Sequence, residues 1–376
     1  MGFGPLALVV AAGLLGPALA SVPRLGAPIV VGELIAGLII GRTGFRWINA
    51  DSESLKFLGE IGFALLMLVA GTRLPLRTPG LRGALRSGAV ATLLAFALAL
   101  PLALLLHKIT PLHDTGILLL LLATSSAAIV MPVLSDGGAP GGGTLVAVTW
   151  VAIADVSTVI ATPIVLASGH VGKVIAGSAL VLAAAGAVFV LVQFADSRGL
   201  LEKPAKFSLQ RGWGLRLRVS LLALFTLSWI ATSFDTSVLI AGFGIGAVIA
   251  ILGEPRTVAR ELIGVGEGFL IPIFFVTLGA RLDVRALFSD PANLGLLAAL
   301  LAAIVVLHVV VAVVTRAGWP TGLLASAQLG VPAAITSLGL AAGTLRPGQA
   351  AAIVTAAIAS VAVAAIGARQ LTRAPT

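Results

Sequence analysis

Long apolar runs separated by short polar or charged breaks dominate this chain from end to end. Delimited by Gly, Pro and charge clusters, the runs number thirteen, at about 3–21, 28–41, 57–72, 87–107, 115–134, 144–167, 172–194, 218–233, 237–252, 262–280, 293–315, 320–343 and 349–368. Most approach the roughly 20 residues that an α-helix needs to cross a bilayer. The pattern predicts an all-α polytopic membrane protein with about 13 transmembrane helices. The first run ends in Ala18-Leu19-Ala20, a triplet of the signal-peptidase type. It has no Lys or Arg ahead of it to form a positive n-region, so a retained first helix is expected.

Composition agrees with the pattern: 59% of the 376 residues are hydrophobic and 10% charged. The absence of Cys excludes disulfide frameworks, thiolate metal sites and cysteine nucleophiles. A net charge of +9 would point to nucleic acid in a soluble chain, but here the basic residues lie in the loops between apolar runs. Assigning loops alternately to two sides places 16 of the 24 Lys and Arg together. That asymmetry predicts a multi-pass protein of the cell membrane with its N-terminus outside and its C-terminus cytoplasmic. The long basic connection at 195–217 is then a cytoplasmic linker between two halves of one membrane domain, residues 1–376.

The halves resemble each other. Gly71, Arg73, Leu74 and Arg77 match Gly279, Arg281, Leu282 and Arg285 at a constant offset of 208. One run earlier, Gly32-Glu33-Leu34-Ile35-Ala36-Gly37 has a counterpart in Leu239-Ile240-Ala241-Gly242-Phe243-Gly244. The repeats, 28–167 and 237–368, begin at the second and ninth runs, an odd separation that reverses their sense across the membrane. Inverted repeats place substrate sites near the midplane, where discontinuous helices point their ends at the ligand. Two runs carry such breaks in corresponding positions: the fifth, with Thr124-Ser125-Ser126 ahead of Pro132 and Gly137–Gly143, and the twelfth, with Gly330-Val331-Pro332 ahead of Thr336-Ser337. Proline frees a helical carbonyl, so local unwinding is expected at both.

Asp155 stands alone as a charge in the run 144–167. An aspartate at a helix centre costs about 2.5–3.5 kcal/mol even on mild insertion scales, so an intramembrane carboxylate points to ions or protons. Thr124, Ser125 and Ser126 are hydroxyls able to face it, and hard cations prefer such oxygen ligands.

Taken in order, the segments Pro28–Gly37 with Ile40-Gly41, Gly62–Gly71, Thr124–Val130, Asp155 and Pro272–Gly279 resemble the monovalent cation/proton antiporter superfamily, in particular its Kef-like and Nap-like bacterial branch. The resemblance implies a homodimer whose protomers join a scaffold domain to a mobile core with two broken, crossing helices. It implies that Asp155 binds cation and proton, with Thr124, Ser125 and Ser126 as polar lining. Electrogenic members of that family carry an acidic residue before the essential aspartate and a lysine in the eleventh-span equivalent. This chain has Ala154 at the first position and His308 nearest the second.

A carboxylate in that place holds either one proton or one dehydrated cation, which gives the simplest exchange mechanism. The expectation is electroneutral exchange of Na+ or K+ for H+, with no enzymatic activity and no cofactor. His308 is a candidate pH-sensing or accessory group, because an imidazole ordinarily titrates near neutrality. Glu33 and Glu267, near the ends of their runs, are accessory candidates that serve helix-end backbone or an Arg equally well. Phe274-Phe275 reads as packing, and Gly137–Gly143 as a flexible loop without the Lys-Ser/Thr ending of a phosphate cradle. Two alternatives share the architecture: a channel-like, regulated potassium efflux pathway, which predicts uncoupled current, and an organic-anion symporter, which needs a basic residue in the core. The residues identify no regulatory subunit.

Overall fold

A computed structural model of the chain describes residues 2–22, 28–72, 81–127, 129–130, 142–167, 170–200, 202–234, 236–252 and 264–373. The helices in chain order are α1 (Phe3–Gly13), α2 (Leu15–Ala20), α3 (Ile29–Ile40), α4 (Glu53–Thr72), α5 (Leu81–Ile109), α6 (Thr115–Ala123), α7 (Gly142–Leu166), α8 (Val171–Ser197) and α9 (Glu202–Arg211). They continue with α10 (Leu215–Ser233), α11 (Val238–Leu252), α12 (Ile271–Arg281), α13 (Val284–Ser289), α14 (Pro291–Val314), α15 (Trp319–Ala325), α16 (Gly330–Ala342) and α17 (Pro347–Arg373).

Among the described residues, nine stretches are long and apolar enough to cross a membrane, and α3 and α11 are shorter apolar helices. Of the remaining two predicted runs, 115–134 begins with α6, and 262–280 with a π-helical turn, Gly266–Leu270, leading into α12. Pro132 and Gly137 to Gly141 lie outside the described residues, whereas Gly142 already belongs to α7. The linker expected at 195–217 is partly helical. α8 runs on to Ser197 and α9 occupies its centre, with the Arg198 guanidinium 4.3 Å from the Phe194 ring.

Two compact units divide the chain. One comprises Phe57–Arg77 and Ala167–Phe274, where α8, α10 and α11 pack together. In it α4 and α11 approach backbone to backbone: a methyl added at Gly242 would collide with the Ala64 carbonyl, and one at Gly246 with that of Leu68. The other unit comprises Met1–Lys56, Thr78–Leu166 and Phe275–Thr376. Here α3 and α12 make the equivalent approach, Gly37 meeting the Val276 carbonyl and Gly279 that of Leu34. The two pairs are related by exchanging the segments that matched in sequence. Only glycine permits so short a distance between helix axes.

Within this second unit α7 packs on α5, and α14, α15 and α17 pack on one another. Two of its helical runs are interrupted. Thr124, Ser125 and Ser126 follow α6 in non-helical conformation before helical geometry returns at Ala127. Ala327, Gln328 and Leu329 do the same between α15 and α16. The second interruption therefore precedes the expected Gly330-Val331-Pro332, which are helical. Pro332 sits in the first turn of α16, where a missing N–H removes no intrahelical bond. It starts a helix rather than breaking one.

Candidate functional site

The first break follows from its residues. Asp114 caps α6 by accepting from Ile117 N at 2.9 Å, and the helix ends where three consecutive hydroxyl residues offer the backbone local alternatives. Thr124 is extended, with φ −75° and ψ 151°. Breaking a helix inside a membrane strands N–H and C=O groups that no water can satisfy. Two of them are satisfied by the other break. Ser126 N donates to Ala327 O at 2.8 Å, and Gln328 Nε2 donates to Thr124 O at 3.0 Å. Ser125 Oγ donates to Ala325 O at 2.6 Å, while Gln328 N donates to Ser360 Oγ of α17 at 3.1 Å.

Asp155 lies near the middle of α7, buried, with Oδ2 accepting from Ala127 N at 3.0 Å. The contact sets the carboxylate against the backbone where the chain re-enters helical geometry after the first break. One turn further along α7, Thr158 Oγ1 stands 2.9 Å from Thr124 Oγ1 and also reaches Asp155 O at 3.1 Å. Thr162 follows, its hydroxyl donating to Thr158 O at 2.6 Å. Asp155, Thr158 and Thr162 thus form a buried polar stripe at positions i, i+3 and i+7. The two threonines were not anticipated from the sequence, although their spacing from Asp155 is helical.

Of the four residues expected together, Thr124 joins the Asp155 network through Thr158. Ser126 contributes its backbone to the crossing and is buried there. Ser125 turns the other way, toward Ala325 O and toward His308 Nε2 at 3.3 Å. His308, on α14, is fully buried; Nδ1 lies 2.9 Å from Ile304 O and the ring stacks on Trp150 of α7 at 5.6 Å. Ala154, beside Asp155, is buried as well.

Glu33 is buried on α3, where its Cγ would stand 2.8 Å from a methyl added at Gly16 of α2. Glu267 is exposed on the π-helical turn, in the unit that does not contain Asp155. Among the described residues the buried carboxylates are Glu33 and Asp155. Gln328, buried at the second break with Oε1 lacking a hydrogen-bond partner among the described residues, is the further polar group that the sequence reading passed over.

Two broken segments that cross beside a buried carboxylate in a polytopic helical membrane protein are the architecture of many secondary transporters. The family described as sodium/hydrogen exchanger, transmembrane, matches residues 9–374, and the chain belongs to that family. A solved structure of the sodium proton antiporter MjNhaP1 from Methanocaldococcus jannaschii shares the fold, with a TM-score of 0.65 at 16% identity over 99% of each chain. Similar curated proteins include the "Putative Na(+)/H(+) antiporter YjbQ" of Bacillus subtilis, 25% identical over 81% of this chain and 52% of its own. The glutathione-regulated potassium-efflux system protein KefC of Salmonella typhimurium is 30% identical over 76% of this chain and 47% of its own. The chain thus spans about half the length of the curated relatives it matches.

Proposed function

We propose that this protein exchanges a monovalent cation, Na+ or K+, for H+ across the cell membrane, both competing for Asp155. The observation that carries this reading is the burial of the Asp155 carboxylate at the crossing of the two breaks, held by Ala127 N. Holding an uncompensated carboxylate away from water costs several kcal/mol. Binding either a proton or a cation cancels the charge, so the loaded forms pass between inward- and outward-facing states and the empty form is held back. That restriction couples the two fluxes without any further device.

Exchange is one for one and electroneutral on this account, because Ala154 supplies no second charge next to Asp155. Thr124 and Thr158 line the site with hydroxyls, and Ser126 belongs to its backbone frame. His308 serves as an accessory group that holds Ser125 and thereby the first break. The protein acts as a homodimer with its N-terminus outside, the arrangement that its family resemblance and the distribution of Lys and Arg support. The names of its relatives speak for both Na+ and K+.

The test is proton flux in proteoliposomes under an imposed membrane potential. Electroneutral exchange predicts a rate independent of voltage; a rate that scales with voltage refutes the stoichiometry. A cation current without accompanying proton flux replaces the exchange reading with channel-like efflux.

A further inference from the structure

Gln328 is held at two points on the second break. Its backbone N donates to Ser360 Oγ at 3.1 Å, and its side-chain Nε2 donates to Thr124 O at 3.0 Å. Because Thr124 O is a carbonyl and only accepts, the amide orientation is fixed by chemistry: nitrogen toward Thr124, oxygen away from it. The residue is 1% exposed, and Oε1 has no donor among the described residues. A buried acceptor left without a donor is unfavourable. A neutral amide oxygen in that condition is also a good ligand for a hard cation.

Its surroundings connect it to the carboxylate. The Thr124 residue whose carbonyl holds the amide also places its hydroxyl 2.9 Å from Thr158, one turn from Asp155. Ala127, three residues past Thr124, supplies the N–H bound by Asp155 Oδ2. The first break is thus bonded to both the amide and the acid.

We propose that Gln328 Oε1 is a ligand of the transported cation, supplied by the second break, and sets which cation the site prefers. The inference rests on the exchange reading above. Asp155 contributes the charge that makes proton and cation compete, and Gln328 contributes a neutral oxygen that a proton on Asp155 does not need. Cation affinity and selectivity therefore depend on Gln328, and proton competition does not.

Two substitutions separate the oxygen from the nitrogen. Gln328→Met removes both at similar length, and Gln328→Glu keeps an oxygen while losing the Nε2 donor. The measurement is apparent KM for Li+, Na+, K+ and Rb+ by proton flux in proteoliposomes, with Asp155→Asn as reference. For Gln328→Met, KM rises about tenfold for the preferred ion and the order of preference flattens. For Gln328→Glu, KM stays within about twofold of wild type or falls, since it regains a ligand of equal or greater strength.

If both variants lose the same factor for every cation, Gln328 acts only by bonding Thr124 and the inference is overturned. Should Gln328→Met not fold, Gln328→Glu decides alone: a uniform rise in KM across the four ions overturns the proposal, and a retained or lowered KM supports it. Exchange persisting in Asp155→Asn overturns the underlying reading instead, whichever way the Gln328 variants behave.

Discussion

The two breaks perform the same backbone task with different side chains. At the first, Thr124, Ser125 and Ser126 present three hydroxyls, and the adjoining α7 brings the carboxylate of Asp155. At the second, Ala327, Gln328 and Leu329 present one amide among apolar neighbours, with Ser360 of α17 satisfying the Gln328 N–H. The two breaks are bonded to each other by Ser126 N to Ala327 O and by Gln328 Nε2 to Thr124 O. The crossing is unequal in charge. On the proposed reading this is a division of labour, in which one repeat provides the titrating group and the other contributes neutral oxygen and nitrogen groups around it.

That asymmetry has its severest test in moving the charge. The double substitution Asp155→Asn with Gln328→Asp keeps one carboxylate at the crossing but transfers it to the second break. Exchange is expected to remain at background, measured with a pH-sensitive dye in proteoliposomes; recovery of exchange shows the breaks to be interchangeable. The pH dependence of cation binding comes next. With one carboxylate shared by two ligands, the apparent KM for the cation rises as pH falls, approaching tenfold per unit where the proton dominates. A steeper rise, read from initial rates over a range of cation concentrations at each pH, means that a second proton site participates.

Smaller effects fall on the bonds between the breaks. Ser125→Ala leaves Ala325 O and His308 Nε2 without their hydroxyl, and a loss of about 1–3 kcal/mol in stability is expected. A thermal melt in detergent reads this as a lowered midpoint, and an unchanged midpoint removes Ser125 from the crossing. Thr162→Val takes away a hydroxyl that bonds one turn back along its own helix. It should cost about 1 kcal/mol or less and leave cation KM unaltered; an altered KM extends the ion site along α7.

Much of this arrangement was legible in the sequence. The apolar runs carried the membrane helices, because a bilayer demands long apolar segments whatever the tertiary fold. Asp155 announced itself as the sole charge in its run. The contact geometry of the glycines was foreshadowed where Gly37 and Gly279 fell inside the matching segments, and both prove to be close-approach points between α3 and α12.

Other features were hidden for identifiable reasons. In an extended stretch successive side chains point to opposite sides, so Thr124 faces α7 while Ser125 faces α14 and α15. A run of three hydroxyls does not disclose that parting. The proline signal drew attention to Gly330-Val331-Pro332, whereas the residues actually unwound lie just before them, and Gln328 was overlooked with them. Thr158 and Thr162 were obscured because threonines in apolar helices commonly bond a carbonyl one turn back, as both do here. Glu33 and Glu267 show the limit of reading acidity alone: one is packed against α2 and the other is exposed on a π-helical turn.

The most direct test of the central claim is proton flux from proteoliposomes loaded in turn with Li+, Na+, K+ and Rb+, comparing the wild type with Asp155→Asn. The account predicts cation-dependent proton movement in the wild type, for Na+ or K+ above the others. In Asp155→Asn, correctly folded by its melting profile, no cation should drive protons. Exchange retained by that variant would contradict the assignment of Asp155 as the shared site.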